Sequence, residues 1–340
     1  MVEGDRIFQI ELNTISASLA GLSTKLAELN RSIHVNSNIP SNRAAYGIVD
    51  GFIEAVNLYK STYKPSKPLA VLFIVQDHER NYYDQLHLQN LFPPEIEVLR
   101  QSLADSSVFQ VDTFDKNLSV GGKEVSIVYY RAGYSPDEYL TPEYWKSRDI
   151  IESSRSIKCP DIASHLAGLK KIQQVLTEPA LLLETMNFDQ KITDDLRSSF
   201  AGIYSLDDTE EGARNTQMAI SDPERFVLKP QREGGGNNTY GSQVRTTLSR
   251  MPPSERSAYI LMDRIRPAVN PTTILRNSQV KDILAVSELG IYGVILASSR
   301  GGGEIVLNEQ VGWLLRTKPE DSDEGGVVSG YSVLDVPDLK

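Results

Sequence analysis

The stretch that decides the fold is FVLKPQREGGGNNTYG, which runs from Phe226 to Gly241. Its first three residues are apolar and favour a short buried strand, which leads directly into Lys229. Because glycine has no Cβ, a polyanion can come close to the backbone of the triple glycine that follows. Arg232 adds positive charge, and Glu233 is a hard oxygen ligand suited to Mg²⁺ beside phosphate. The block therefore predicts a site for a nucleotide triphosphate.

A flexible surface loop is the alternative for this block. A strand, two basic residues, an acid and two asparagines in one run favour the binding site. Two other phosphate-binding patterns are absent from the sequence, since GxxxxGK[ST] occurs nowhere and no GxGxxG follows a strand. The block is therefore neither a Walker A loop nor a dinucleotide fingerprint.

The composition is that of an ordinary globular chain, with 340 residues, 40% hydrophobic and 24% charged. The net charge of -10 argues against a nucleic-acid partner. Cys159 is the single cysteine, so an internal disulfide is excluded, and we expect it to pack as an inert thiol. No apolar run reaches the ~20 residues that span a bilayer, and the first residues lack the pattern of a signal peptide. These features predict a cytoplasmic protein without a membrane partner.

The beginning of the chain carries a second candidate site. Ile7–Leu12 is mostly apolar and predicts a strand, and a core strand this close to the first residue suggests a cut chain. Glu11 and Asn13 are two positions apart, so they would share one face and offer oxygen ligands to Mg²⁺ beside phosphates. A solvated polar face is the alternative. Ile15–Ser18 is rich in small hydroxyl residues that can cap the next helix and contact a ligand.

The middle of the chain predicts a small α/β domain. The continuous apolar run Leu69–Val75 predicts a strand buried on both faces, and Glu124–Tyr130 predicts a second strand. Ligands in open parallel sheets bind beyond the carboxyl ends of strands, where this chain carries polar clusters. Arg131 follows the second strand and suits a substrate carboxylate. Helices are expected over Leu19–Leu29 and Arg43–Tyr59 as scaffold.

The later segments add further candidates. Lys170 lies near the start of a predicted helix. A strand over Ala258–Met262 offers an edge whose backbone groups can pair with a purine. Two further strands are expected on either side of Ser287–Gly290, and a last glycine-rich piece covers Glu324–Gly330.

These segments together resemble the eukaryotic-type glutathione synthetases, which are ATP-grasp ligases. The motifs that carry the resemblance are QIELNTISAS (9–18), ERN with Gln85 (79–81), RAGY (131–134), CPDI with LAG and KK (159–171), the glycine-rich block, SELG (287–290) and RTK (316–318). The resemblance extends over nearly the whole chain.

The resemblance implies a role for each matching residue. The residues implied to hold ATP are Glu11, Lys170, Lys229, Pro230, Gln231, Arg232, Glu233, Gly234, Gly235, Gly236, Asn237, Asn238, Tyr240, Met262, Asp263, Arg264, Ile265, Glu288, Lys318 and Glu324. Those implied to bind the dipeptide or the acceptor amino acid are Ile15, Ser16, Ala17, Ser18, Glu79, Arg80, Asn81, Gln85, Arg131, Ala132, Gly133, Tyr134, Arg316, Val327 and Val328. The implied Mg²⁺ ligands are Glu11, Asn13 and Glu233, and the implied catalytic residues are Arg232, Lys229 and Lys170.

The implied fold is α/β (α+β): an ATP-grasp fold with an inserted small α/β substrate-binding domain. The expected domains are residues 1–66 as part of the ATP-grasp body, 67–165 as the substrate-binding domain and 166–340 as the ATP-grasp domain with its lid. The implied activity is ATP-dependent ligation of γ-glutamylcysteine to glycine through an acylphosphate, by a homodimer.

Departures from the family pattern leave alternatives open. Ala132 and Glu324 each stand where an aspartate is common in the family. Val328 and Ser329 stand where two alanines are common, and their bulk bears on which acceptor amino acid fits. The family also carries a long region before the QIELNTIS segment. We therefore keep three alternatives: an impaired or inactive nucleotide-binding fragment, a subunit completed in trans, and a related ligase with another acceptor.

Overall fold

The computed structural model describes residues 1–178, 181, 188–233, 236–298 and 303–339. Its helices in chain order are α1 Ala20–Ile33, α2 Ala44–Tyr63, α3 Tyr82–Gln89, α4 Pro142–Glu152, α5 Ile162–Ala167, α6 Lys170–Leu176, α7 Gln190–Ser198, α8 Glu210–Ser221, α9 Ser242–Arg250 and α10 Pro253–Arg256. Its strands are β1 Val2–Glu3, β2 Arg6–Ile7, β3 Leu69–Ile74, β4 Glu97–Gln101, β5 Gln110–Val111, β6 Leu118–Val120, β7 Lys123–Tyr130, β8 Ile157–Cys159, β9 Ile203–Ser205, β10 Phe226–Pro230, β11 Thr239–Tyr240, β12 Tyr259–Asp263, β13 Asn270–Arg276, β14 Gln279–Ala297, β15 Ile305–Pro319 and β16 Val333–Asp335. Helices and sheets are mixed throughout, as expected. Within the described ranges, no helix combines the length and the apolar character needed to cross a membrane.

The chain divides into two compact units. The first unit consists of Met1–Asn13, Leu166–Glu288 and Thr317–Val333. The second unit consists of Thr14–His165, Leu289–Arg316 and Leu334–Lys340. The division into 1–66, 67–165 and 166–340 stays a prediction.

The first unit is built on an antiparallel sheet with the strand order β11-β10-β12-β9. Phe226 and Leu228 of β10 are fully buried and belong to a core cluster with Val244 and Leu248 of α9. Strand residues alternate between the two faces of a sheet. Strand β10 pairs with β11 on one side and with β12 on the other. This pairing fixes the position of Lys229, near the end of β10.

The second unit contains a sheet with the order β4-β3-β7-β6-β5, and β8 pairs with β7. The central strand β3 runs parallel to β4 and β7 and is buried on both faces, as its continuous apolar run predicts. Val71 and Phe73 belong to one core cluster, to which α2 contributes, whereas Leu72 and Ile74 belong to another. The predicted strands and the predicted α2 are therefore confirmed.

The strand predicted over Ile7–Leu12 is wrong. Only Arg6–Ile7 forms a strand, and Gln9 makes an isolated bridge to Phe200. The following carbonyl groups are bound by side chains instead of a ladder, since Lys229 Nζ donates to the Ile10 carbonyl and Gln173 Nε2 donates to the Leu12 carbonyl. Beyond the bridge at Gln9, the residues up to Leu12 therefore belong to no strand.

The two strands predicted around Ser287–Gly290 are in fact one. The continuous strand β14 includes all four residues. Gly290 has no positive φ, so it does not interrupt the extended backbone.

Candidate functional site

Strand β10 places Lys229 in the interior of the first unit. Lys229 is 5% exposed, and its Nζ donates to the Ile10 carbonyl at 3.1 Å. Burial lowers the pKa of Lys229, although the carboxylates of Glu11, Glu288 and Glu233 act in the opposite direction. The protein thus keeps a buried cation among carboxylates at the head of the glycine-rich block.

Lys170, the first residue of α6, binds the same block from the other side. Its Nζ lies 3.2 Å from the Glu233 carboxylate and 2.8 Å from the Arg232 carbonyl oxygen. Lys170 is 5% exposed, so this pair is shielded from the solvent screening that weakens surface ion pairs. Burial raises the pKa of Glu233, and Lys170 partly opposes that effect. The two lysines and the acid predicted for one site are therefore brought together.

Glu11 and Asn13 also lie together, although they are not on a strand. Asn13 Nδ2 donates to Glu11 Oε1 at 3.1 Å, and the charge of Glu11 helps to raise the pKa of Glu233. Across the described ranges, no three His, Cys, Asp or Glu side chains are grouped so that they could hold a metal ion by themselves. Mg²⁺ usually takes only one or two protein carboxylates and completes its shell with phosphate oxygens and water. This donor set therefore fits a Mg²⁺ ion that arrives with a phosphate ligand.

The glycine-rich block also contacts the segment 324–330, which the sequence predicts to be a lid. Gly236 adopts a positive φ of 74°, and its N–H donates to Glu324 Oε2 at 2.8 Å. Asn238 Nδ2 donates to the Tyr240 hydroxyl at 3.3 Å. A backbone amide of the loop thus already binds one anionic oxygen. Gly234 and Gly235, also predicted for the site, lie outside the described residues.

The predicted purine segment follows β12. Met262 is buried, and Asp263 accepts hydrogen bonds from Arg225 Nε and the Tyr204 hydroxyl, each at 3.0 Å. The predicted strand edge is wrong, because β12 pairs with β10 on one side and with β9 on the other. The backbone N–H groups of Asp263 and Arg264 also donate to carbonyls of the same unit. Any backbone pairing with a purine would use the remaining groups of this segment.

Glu288 and Lys318 complete the predicted nucleotide residues of the first unit. Lys318 Nζ lies 3.7 Å from Glu288 Oε1 and donates to the Asp323 carbonyl at 3.0 Å. Both side chains are largely buried. The charge of Glu288 also raises the pKa of Lys229. The first unit therefore gathers lysines and carboxylates at the start of the glycine-rich block.

The second unit brings together the segment 15–18 and Arg131. Arg131 Nη1 donates to the Ala17 carbonyl at 2.6 Å, and Nη2 donates to Ser18 Oγ at 2.5 Å. Ser16 Oγ donates to the Tyr130 carbonyl at 3.1 Å. The spatial proximity expected for these residues is thus present, whereas the side chain of Ile15 is buried in the core.

The remaining predicted substrate residues differ in how they are presented. Gln85 is buried, and the Glu79 carboxylate accepts from the Asn81 backbone at 2.8 Å, whereas Arg80 is exposed. The N–H groups of Gly133 and Tyr134 donate to the Glu138 carboxylate, and Ala132 packs in the core. The side chain of Ala132 therefore faces apolar neighbours. Arg316 of the second unit is partly buried, and Val327 and Val328 lie on the turn of the first unit that precedes Gly330.

Asp84 was not predicted, yet it binds the start of the helix that directly follows the segment 15–18. Its buried carboxylate accepts from the backbone N–H groups of Leu19 and Leu22, at 2.8 and 3.0 Å, and so caps the start of α1. Lys171 was also missed; its backbone N–H binds the Gln231 side chain at 3.0 Å, while its Nζ binds Asp207 at 2.7 Å. In the sequence, Asp84 stands out only because it directly precedes Gln85. No local pattern marked Asp207.

Comparison with known proteins gives one family. The profile described as "Eukaryotic glutathione synthase, ATP binding domain" matches residues 2–339. The chain is 40% identical to the glutathione synthetase of Dictyostelium discoideum over 99% of this chain and 73% of that protein. It is 41% identical to the chloroplastic glutathione synthetase of Arabidopsis thaliana, covering 98% of this chain and 62% of that protein. It is likewise 41% identical to the Homo sapiens glutathione synthetase, covering 97% of this chain and 70% of that protein. The chain therefore spans between about two thirds and three quarters of the length of most of these relatives, and less of the Arabidopsis protein.

A solved structure shows the same fold. It is a glutathione synthetase-like effector from Globodera pallida in its apo form, similar with a TM-score of 0.73 and 19% sequence identity. The match covers 98% of this chain and 71% of that chain. The expected fold class, an α/β fold of the ATP-grasp kind, is confirmed.

Proposed function

Because the chain belongs to the eukaryotic glutathione synthetase family, we propose that it joins γ-glutamylcysteine to glycine at the expense of ATP. The reaction class is that of an ATP-dependent carbon–nitrogen ligase that makes glutathione. The dipeptide carboxylate attacks the γ-phosphate and gives an acylphosphate with release of ADP. The glycine amine then attacks the acyl carbon, and phosphate leaves.

The observation that carries the proposal is the pair of buried lysines at the head of the glycine-rich block. Lys229 and Lys170 are each 5% exposed and lie in an environment of carboxylates. Keeping two ammonium groups inside a protein costs free energy unless they serve a charged partner. A triphosphate supplies that partner, since positioned cations stabilise the charge that develops during phosphoryl transfer.

The first unit offers residues for the nucleotide and its metal. Glu11, Asn13 and Glu233 fit as protein ligands of Mg²⁺. When bound, Mg²⁺ neutralises phosphate charge and orients the phosphates. Arg232 is exposed beside this cluster, where it can reach an incoming phosphate. The residues that we assign to the rest of the nucleotide are Pro230, Gln231, Gly236, Asn237, Asn238, Tyr240, Met262, Asp263, Arg264, Ile265, Glu288, Lys318 and Glu324.

The second unit offers residues for the dipeptide. Arg131 and the segment 15–18 are held together by hydrogen bonds, and a buried guanidinium suits a carboxylate. Glu79 and Gln85 add buried polar groups near the carboxyl end of β3. The assigned dipeptide and acceptor residues also include Arg80, Asn81, Gly133, Tyr134, Arg316, Val327 and Val328.

The finer points of the proposal are the acceptor, the oligomeric state and the location. We assign glycine as the acceptor, a homodimer as the assembly and the cytosol as the compartment. Sedimentation of the purified chain tests the dimer, and imaging of a tagged chain tests the location.

The decisive experiment measures ADP and glutathione formation by the purified chain. With Mg·ATP present, omitting γ-glutamylcysteine should abolish ADP formation, and omitting glycine should stop it after at most one equivalent of ADP per active site. Lys229→Met should abolish ADP formation with all substrates present. The exposed Lys191 of α7 provides the matched control, because Lys191→Met removes a lysine from the surface of the same unit. ADP release that ignores both substrates, or no glutathione at all, would overturn the proposal.

A further inference from the structure

Arg100 is a charged residue that no sequence motif singled out. It belongs to the parallel part of the β4-β3-β7-β6-β5 sheet of the second unit. It lies near the carboxyl end of β4, which is parallel to β3. Arg131 follows β7, the parallel neighbour of β3 on its other side, and Glu79 follows β3 itself. Three charged side chains thus come from the carboxyl ends of three adjacent parallel strands, which is where ligands bind in such sheets.

Arg100 makes one short bond to a predicted substrate residue. Its Nη2 donates to Gln85 Oε1 at 2.7 Å, and its guanidinium lies 5.1 Å from the centre of the Tyr82 ring. Burial lowers the pKa of Arg100 and nearby Glu79 opposes this, but a guanidinium keeps its proton in proteins. The bond to Gln85 is therefore charge-assisted, which makes it stronger than one between neutral groups.

Several buried atoms around this bond have no hydrogen-bond partner in the described part of the chain. They are Gln85 Nε2, Arg100 Nη1, Arg131 Nε and Glu79 Oε2. Gln85 is 1% exposed and Arg131 is 4% exposed. Since a buried polar atom without a partner is costly, such a group of atoms marks the place of an absent polar ligand.

The bond from Arg100 also decides which end of the Gln85 amide is presented. A glutamine amide has an acceptor oxygen and a donor nitrogen, and its two orientations are alike in shape. Arginine is a donor only, so it must face the oxygen. The nitrogen is then left as a donor for the ligand.

We propose that Arg100 is a positioning residue for the dipeptide: it holds Gln85 Oε1 so that Nε2 donates to an oxygen of γ-glutamylcysteine. This inference rests on the proposed function. Without Arg100, the amide loses its fixed orientation and presents donor and acceptor alternately. The expected defect therefore falls on dipeptide binding and spares ATP.

The test compares Arg100→Met, Arg100→Lys, Gln85→Ala and the double variant Arg100→Met with Gln85→Ala. Arg100→Met should raise KM for γ-glutamylcysteine about tenfold and leave kcat and KM for ATP within about twofold. Arg100→Lys should recover part of the loss, because an ammonium can still donate to Gln85. In the double variant, KM should not exceed that of Gln85→Ala, since both changes remove the same interaction. Arg43→Met is the matched control, as the Arg43 side chain is 66% exposed in a surface ion pair with Asp50.

Three results would overturn the proposal: an unchanged dipeptide KM in Arg100→Met, fully additive effects in the double variant, or equal losses for ATP and dipeptide. Calorimetric titration of γ-glutamylcysteine into the wild-type chain and into Arg100→Met distinguishes failure of the proposed function from failure of the role of Arg100. If the wild-type chain binds the dipeptide and turns over, and Arg100→Met binds the dipeptide equally well, only the role of Arg100 is refuted. No binding and no turnover by the wild-type chain refutes the proposed function and this inference with it. Melting curves show whether each variant is folded. If Arg100→Met is misfolded, the dipeptide KM of Arg100→Lys tests the proposal instead, and an unchanged KM overturns it.

Discussion

Lys170 Nζ lies 3.2 Å from the carboxylate of Glu233, and both side chains are largely shielded from water. Lys170 is the first residue of α6, whereas Glu233 lies just before the glycines of the glycine-rich block. Without a ligand, the cation and the anion satisfy each other. Lys170 would then hold the phosphates of a bound Mg²⁺–triphosphate and Glu233 its metal ion, because the complex carries charges of both signs.

Lys229→Met should abolish protection by Mg·ATP while leaving the ligand-free protein at least as stable near neutral pH. Because the folded chain lowers the pKa of Lys229, the unfolded chain binds its proton more tightly. Stability therefore rises with pH from the folded pKa up to the ordinary value of 10.5, and methionine removes this dependence. The stability advantage of the variant should shrink as the pH rises toward that value. Thermal unfolding between pH 7 and pH 10, with and without Mg·ATP, measures both effects, and undiminished protection of the variant by Mg·ATP would contradict the assignment.

Glu233→Gln should weaken the response to Mg²⁺ more than the response to ATP. The amide keeps the shape of the side chain but loses the charge that attracts the metal, so half-maximal activation should need roughly tenfold more Mg²⁺. Magnesium titrations at saturating ATP give this value directly. Glu255→Gln, at an exposed glutamate of α10, is the control. An unchanged Mg²⁺ requirement would remove Glu233 from the metal site.

Asp84→Asn should both destabilise the second unit and raise KM for the dipeptide. The carboxylate accepts two backbone N–H groups at the start of α1, and loss of such a cap costs about 1–2 kcal/mol. The segment 15–18 precedes that helix directly, so its position should loosen as well. Urea unfolding and dipeptide kinetics measure the two effects, with the exposed Asp50→Asn as control. A stability loss without any change in dipeptide KM would show that the cap has only a structural role.

Val328→Ala should reduce the preference for glycine over alanine as acceptor. The Val328 side chain is 50% exposed on the turn of the predicted lid, where its bulk would limit the side chain of the incoming amino acid. Removing that bulk should lower the ratio of kcat/KM values by about tenfold, the usual range for small apolar groups in a pocket. Glycine, alanine, serine and β-alanine are compared as acceptors, and the exposed Val280→Ala serves as control. An unaltered ratio would place acceptor selection elsewhere.

Local patterns were sufficient for much of the fold. The run Leu69–Val75 predicted β3, because a strand buried on both faces needs apolar residues at consecutive positions. Glu124–Tyr130, rich in β-branched and aromatic residues, predicted β7. The same reasoning failed for Ile7–Leu12. There the backbone oxygens of Ile10 and Leu12 are taken by side chains of distant residues, which no short window contains.

The sequence by itself determined the glycine-rich block, its lysine and acid, and the strands that carry them, since these depend on neighbours along the chain. Only the tertiary structure decided that Asp84 binds the N–H of Leu19, 65 residues earlier at the start of α1, and that Arg100 orients the Gln85 amide. The physical reason is that a hydrogen bond between distant segments depends on how strands and helices pack, and a buried polar atom acquires its partner only when that packing is complete.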